Sequence, residues 1–213
     1  MLVEILTFPG VDELDALGPL EVLRNAAAAG ADFHVRLVSL DSAEDIQGGH
    51  GLRFGVDGTL GARGRPDILL IPGGGWLMRA ERSAWGEAQR GAIPAAIANA
   101  HRCGTILASV CTGTMLIAAA GLLSGRSATT HHAAVEELRR SGAEVVAARI
   151  VDDGDIISAG GVTSGIDLGL YLVERFASSK LAERCASNLE YDRRGPVHIS
   201  AMRDRSAKGE VPR

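Results

Sequence analysis

The residues best suited to chemistry surround Cys111, within the stretch Thr105 to Leu123 (TILASVCTGTMLIAAAGLL). Its apolar first half predicts a buried strand, and its second half has helical spacing with three consecutive alanines. Cys111 is therefore expected at a strand-to-helix corner, which has the layout of a nucleophile elbow with Cys in place of Ser. Thr112 and Gly113 come next, and these small residues leave backbone N–H groups bare beside the sulfur.

The position of Cys111 predicts a reactive thiol. The helix dipole and the bare amides favour the thiolate, so we expect a pKa below the value of about 8.5 that is usual for a free cysteine. The alternative is that Cys111 is a small buried hydrophobe, the common role of a free cysteine. Core packing gives no reason for the order strand, Cys, Thr, Gly, helix, and this favours the nucleophile.

Two further segments are expected to meet Cys111 at one edge of a sheet. Asp67–Pro72 (DILLIP) predicts a buried strand that runs into Gly73 and Gly74, and Asp15 follows the first predicted strand, Leu2–Phe8. Ligands in parallel sheets bind at the carboxyl ends of the strands, where these pieces would converge. The glycines form either a tight turn or a pair of amides that bind an anion. The Lys-Ser/Thr ending of a phosphate-binding loop is absent.

Asp15 is the predicted acid of this site. Repulsion from a thiolate and loss of solvent would raise its pKa, so that it holds a proton to donate. It is otherwise a helix cap, and Glu21 is then the second choice of acid. His131 either contacts the substrate or belongs to a polar turn with His132 after the short extended segment Ser127–Thr130.

Composition restricts the class of protein. The chain has 213 residues, 46% hydrophobic and 23% charged, with a formal net charge of −4, which gives no reason to expect nucleic acid or an anionic membrane as partner. No apolar run is long enough for a transmembrane helix, and no signal peptide is recognised. The three cysteines form no CxxC pair, so we expect no disulfide and no metal site. The chemistry requires no cofactor, and we expect a cytoplasmic protein that acts on a small molecule.

Strands that alternate with helices predict an α/β fold, a flavodoxin-like sandwich in which helices cover both faces of a mainly parallel sheet. A single domain is expected over residues 1–191, followed by a polar tail over residues 192–213. Pro19 should end a short piece before the first long helix, and Pro94 should kink the helix Trp85–Ala100. The glycine-rich segment Ile46 to Leu60 predicts a small β-hairpin.

Four segments, in the same order, closely resemble the ThiJ/PfpI superfamily of class I glutamine amidotransferase-like proteins: FPGVDELDALGPLEVL, DILLIPGGG, SVCTGTMLIAAAGLLSGRSATTHH and GGVTSGIDLGLYLVE. The pairing of LDALGP with SVCTG and ATTH is most similar to isocyanide hydratases and to the sensor domains of AraC-type regulators. The resemblance implies that Cys111 is the nucleophile and Asp15 its acidic partner. It further implies that Thr112 supplies an amide and a hydroxyl, and that Val162 lines the pocket, with Gly73 and Gly74 as the glycine loop.

Departures from the family pattern narrow the expected function. Thr112 replaces the histidine that follows the nucleophile in the protease branch, Asp15 replaces the glutamate usual in deglycases, and His132 replaces a tryptophan common in hydratases. The chain also ends too soon after Tyr191 for a helix-turn-helix domain. We therefore expect a homodimeric lyase that hydrates a small isocyanide. The alternatives are a glyoxalase-type hydratase of 2-oxoaldehydes and a non-catalytic sensor that responds to oxidation of Cys111.

Overall fold

The computed structural model describes residues 1–41 and 45–200. Short apolar runs between glycine-rich turns form the strands, and longer runs with helical spacing form the helices. The strands are β1 Leu2–Leu6, β2 His34–Val38, β3 Ile46–Gln47, β4 Arg53–Phe54, β5 Ile68–Ile71, β6 Ile106–Val110, β7 Ser127–Ala128, β8 Glu144–Val145, β9 Ile150–Asp152, β10 Ile156–Ala159 and β11 Val197–Ile199. The α-helices are α1 Glu13–Ala28, α2 Ala84–Arg90, α3 Ala92–Arg102, α4 Gly113–Ala119, α5 Val135–Arg140, α6 Ser164–Phe176 and α7 Ser179–Asn188. Two short 3₁₀ helices cover Trp76–Met78 and His132–Ala134.

A seven-stranded sheet forms the centre of the fold, in the order β11-β9-β10-β6-β5-β1-β2. Its neighbouring strands are parallel except for the antiparallel pair β9 and β10. Strands β3 and β4 form a separate antiparallel hairpin, as the glycine-rich segment predicted. The predicted flavodoxin-like α/β fold is confirmed.

Two apolar layers lie on opposite faces of the sheet because alternate residues of each strand point to opposite sides. Ile68 and Leu70 of β5 pack on one face with α1, α6 and α7. Leu69 and Ile71 pack on the other face with α2, α3, α4 and α5. No helix in the described part of the chain is both long and apolar enough to cross a membrane.

Three boundaries differ from the sequence-based expectation. Pro19 lies inside the continuous helix α1, although its ring removes one backbone hydrogen bond. The predicted helix Trp85–Ala100 is two helices that break at Gly91, whose φ is 78°, and not at Pro94. Val197–Ile199, within the predicted polar tail, pairs with β9 as an edge strand of the sheet. The remainder of that tail, residues 201–213, lies outside the described residues.

Candidate active site

Cys111 occupies a strained corner between β6 and α4, as the elbow predicted. Its φ is 58°, a left-handed conformation that non-glycine residues seldom adopt. Its N–H donates to the carbonyl oxygens of Ala159 (3.1 Å) and Gly160 (2.9 Å), and its own carbonyl accepts from Thr130 Oγ1 at 2.8 Å. These bonds hold the backbone on both sides of the thiol, which is buried.

Two glycines permit the loop after β5 to touch this corner. A Cβ on Gly73 would lie 2.4 Å from Thr112 Oγ1, and a Cβ on Gly113 would lie 2.0 Å from the carbonyl oxygen of Ile71. No side chain fits at either place, so glycine is required for the close approach of the two backbones. The sequence order Cys-Thr-Gly is thereby explained by packing as well as by chemistry.

Asp15 lies in the first turn of α1 and is completely buried. Its Oδ2 accepts the Gly73 N–H at 2.9 Å, while its buried Oδ1 has no hydrogen-bond partner among the described residues. The carboxyl group interacts electrostatically with the Cys111 thiol. The structure thus brings the predicted acid, the glycine loop and the cysteine together. The helix-cap alternative for Asp15 is wrong, because Asp12 is the N-cap and accepts the Leu14 N–H.

The amides of the glycine loop have partners within the protein. The Gly73 N–H is bound to Asp15, and the Gly74 N–H donates to Thr112 Oγ1 at 3.0 Å. A buried N–H that already has a partner loses that bond if it turns to an anion. The anion hole at Gly73 and Gly74 stays a prediction, and the observed bonds orient Asp15 and Thr112.

The donors that face the sulfur are the backbone N–H groups of Thr112 and Val162, and both lower the pKa of the Cys111 thiol. Val162 directly precedes Thr163, the cap of α6, and lies far from Cys111 in sequence. Its φ is 40°, an outlier for a β-branched residue. The surrounding structure must impose this conformation, and it aims the amide at the thiol.

The ionisation of the cysteine differs from the prediction. Burial, followed by the charge of Asp15, raises the pKa of the Cys111 thiol to about 12, and the two amides only partly offset this. Burial, and then the charge of Asp12, raises the pKa of Asp15 to about 7. The predicted elevation for Asp15 is confirmed, whereas the predicted depression for Cys111 is wrong. Between these two values the pair holds a single proton.

A cleft of about 570 Å³ lies beside residues that bond Cys111, although Cys111 itself is not among the residues that line it. Thr130, Gly160 and Val162 line it, and each of these residues also bonds Cys111. His131 and His132 line the same cleft, and their rings stack with centroids 4.2 Å apart.

The orientation of His131 is well defined. Its Nδ1 accepts the Ala133 N–H at 3.3 Å, so the neutral ring carries its proton on Nε2. Burial, together with the neighbouring His132, lowers the pKa of His131 and favours this neutral form. Gly161 packs against the ring, where a Cβ would lie 2.5 Å from Cδ2. His131 therefore presents a fixed ring beside the cleft.

Comparison with known proteins shows the family of the chain. A model of the DJ-1/PfpI family matches residues 1–175. The chain belongs to the DJ-1/PfpI family. The predicted superfamily is thus confirmed.

Three individual proteins are similar to the chain in sequence or in structure. The chain is 35% identical over 189 residues to isonitrile hydratase from Pseudomonas putida, and the match covers 87% of this chain and 76% of that protein. A ThiJ/PfpI family protein from Pseudomonas syringae superimposes with a TM-score of 0.79 at 28% identity, over 92% of this chain and 76% of that one. DJ-1beta from Drosophila melanogaster shares the fold, with a TM-score of 0.77 at 20% identity, over 90% of this chain and 98% of that one.

Sequence reasoning missed a second group of polar residues in this DJ-1/PfpI chain. Ligand atoms of Asp12, Glu13 and His50 lie within 4.8 Å of one another. The buried Glu13 carboxylate accepts the backbone N–H groups of His50 and Leu52, so it ties the hairpin to α1. The cap position of Asp12, just before a helical run, was the available signal. Glu21, the second choice of acid, is exposed and bonds Asn25, so it cannot serve the buried thiol.

Proposed function

We propose that this protein is a cysteine-dependent hydratase that converts a small isocyanide, R–NC, into the N-substituted formamide. One observation carries the proposal: the buried Asp15 carboxyl, whose Oδ1 has no partner among the described residues, interacts with the Cys111 thiol in a site where two amides face the sulfur. The similarity to isonitrile hydratase from Pseudomonas putida supports the choice of substrate.

The first step uses the single proton of the Cys111–Asp15 pair. In the reactive form of the pair the thiol is ionised and the carboxyl is protonated. The Cys111 thiolate adds to the terminal carbon of the isocyanide, and Asp15 delivers its proton to the same carbon. The product is a thioimidate, R–N=CH–S, attached to the enzyme, and Asp15 is left as a carboxylate.

Water completes the reaction. The Asp15 carboxylate accepts a proton from water as the water oxygen adds to the thioimidate carbon, and it passes that proton to the nitrogen. Asp15 then takes the hydroxyl proton as the carbon–sulfur bond breaks. The formamide R–NH–CHO leaves, and the thiolate and the protonated acid are restored. One water is consumed, and no electron is gained or lost.

The remaining residues hold the reacting groups. The N–H groups of Thr112 and Val162 bind the sulfur and favour its anionic form. The Gly73 N–H fixes Oδ2 of Asp15, which leaves Oδ1 for proton transfer. Below a pH of about 7 both groups carry protons, so the reactive form is lost. We expect kcat/KM to rise with pH through this value.

The test offers purified protein cyclohexyl isocyanide and, separately, methylglyoxal. Formation of N-cyclohexylformamide by the wild type, and its loss in Cys111→Ala, supports the hydratase. Conversion of methylglyoxal to lactate without any formamide would replace it with a glyoxalase-type activity. Turnover of neither compound would contradict the hydratase and leave the oxidation sensor as the better interpretation.

A further inference from the structure

The cleft beside Cys111 has an unusual charge composition. Among the described residues that line it there is no aspartate or glutamate, whereas two arginines and two histidines are present: His131, His132, Arg139 and Arg149. The chain as a whole has more acidic than basic residues, 26 against 22. A basic lining in an acidic protein favours an anion over a cation in the cleft.

The two arginines differ in how firmly they are held. Arg149 donates from Nε to Asp167 at 2.5 Å, and that carboxylate is buried with 3% of its side chain exposed. This pair is fixed, because its separation would leave a buried charge alone.

In the part of the chain that the structure describes, Arg139 pairs only with Glu136, one helical turn away, and the two side chains are 53% and 74% exposed. Exposed pairs of this kind are weak, since water competes for both charges. Arg139 can therefore turn to an anion in the cleft at little cost.

The polar residues Thr129, Thr130 and Ser164 also line the cleft. An apolar wall is formed by Val135, Val145, Val146, Ala147 and Ala148. Such a wall suits a short hydrocarbon chain, which loses water on entering the cleft. The reactive end of a ligand would lie near Val162, whose amide faces the Cys111 sulfur.

We propose that the substrate is an isocyanide that carries a carboxylate, with the isocyanide carbon at Cys111, the hydrocarbon against the valines, and the carboxylate at Arg139. The neutral His131, with its proton on Nε2, offers an additional hydrogen bond to this substrate. This inference rests on the proposed hydratase activity and adds the chemical class of its substrate.

The experiment compares two substrates and two variants. 3-Isocyanopropanoate and its methyl ester have the same reacting group and differ in charge. We expect kcat/KM to be at least about fivefold higher for the carboxylate, an effect equivalent to one weak exposed ion pair, and to converge with that of the ester at high salt. Arg139→Ala should remove this preference and leave the ester unchanged. Arg140→Ala is the matched control, because Arg140 is exposed on the same helix and does not line the cleft.

The outcomes separate this inference from the proposed function. Equal turnover of both compounds, or equal effects of the two arginine variants, would overturn the anionic substrate while the hydratase stands. If neither of these compounds nor cyclohexyl isocyanide is turned over, the hydratase fails. In that case NMR is used to measure how strongly the Cys111→Ala variant binds the formamide 3-formamidopropanoate. This measurement then decides whether the cleft prefers an anionic ligand. Binding that is stronger than that of its methyl ester and is weakened by Arg139→Ala supports the inference, and equal binding of the two overturns it.

Discussion

Replacement of Asp15 by asparagine tests the centre of the proposed mechanism. The asparagine side chain has the shape of the aspartate side chain. Its oxygen can still accept the Gly73 N–H, which in the wild type lies 2.9 Å from Asp15 Oδ2. The variant cannot transfer a proton. Loss of general acid catalysis lowers kcat by about 10²–10⁴-fold, and we expect a loss in this range.

The same change should stabilise the fold at neutral pH. The pKa of Asp15 is raised from 3.8 to about 7 by burial and by Asp12, so the folded protein binds a proton more tightly than the unfolded chain does. The free energy of unfolding therefore falls as pH rises from about 4 to about 7. The full difference corresponds to roughly 4 kcal/mol, an upper limit. The asparagine side chain is neutral throughout and avoids this loss, so the variant should be more resistant to urea than the wild type above pH 7.

A third readout concerns the thiol. The Asp15 charge raises the pKa of Cys111, so its removal should lower that pKa and speed alkylation by iodoacetamide at pH 8. We expect a variant that is more stable, more easily alkylated and inactive. Glu21→Gln, which neutralises an exposed acid of the same helix, is the control and should change none of the three. A kcat within twofold of wild type on an isocyanide would make Asp15 a structural residue and refute the mechanism.

Further predictions follow from the same geometry. Cys111→Ser should fold normally and retain less than about a tenth of wild-type turnover, and higher activity would argue against the nucleophile. In the wild type, iodoacetamide should modify the exposed Cys103 before the buried Cys111. The labelling rate of Cys111 should keep rising with pH toward its pKa of about 12. Mass mapping that finds Cys111 modified first would contradict the raised pKa. Val162→Gly should relieve about 1–2 kcal/mol of backbone strain yet lower kcat, because the amide is no longer held at the sulfur; unchanged kcat would remove that amide from the mechanism. Light scattering should give about twice the 22.2 kDa of the chain, as expected for the predicted homodimer, and a monomer at micromolar concentration would reject it.

The layout of the fold was predictable from the sequence because the runs that encode it are short and clearly bounded. Apolar strands such as Ile68–Ile71 end in glycines, and the strand and helix around Cys111 meet at small residues. Pro19 was misleading because tertiary packing overrides a local penalty. Gly165 and Gly169 of α6 pack closely against Pro19, so the helix gains contacts there that compensate for one missing hydrogen bond.

The electrostatics of the site could not be obtained in the same way. The prediction for Cys111 weighed the local helix terminus, which is encoded within a few residues of the cysteine. The opposing effects, burial and the charge of Asp15, arise from segments far apart in the chain. The partners of the Gly73 and Gly74 amides, Asp15 and Thr112, could not be predicted for a similar reason, since they are defined only by the folded structure.

The two strained residues of the site explain why so buried a thiol can still react. Cys111 at φ 58° and Val162 at φ 40° approach one another from different elements, the strand-to-helix corner and the start of α6. Strain of this kind costs about 1–3 kcal/mol for each residue. The strained backbone conformation sets the geometry of the site, because it directs the Val162 amide and the Cys111 sulfur toward each other. With a relaxed backbone, the Thr112 amide alone would stabilise the Cys111 thiolate. The negative charge of the nearby Asp15 would oppose formation of that thiolate. The strain therefore stabilises the thiolate, including the reactive form in which Asp15 holds the proton.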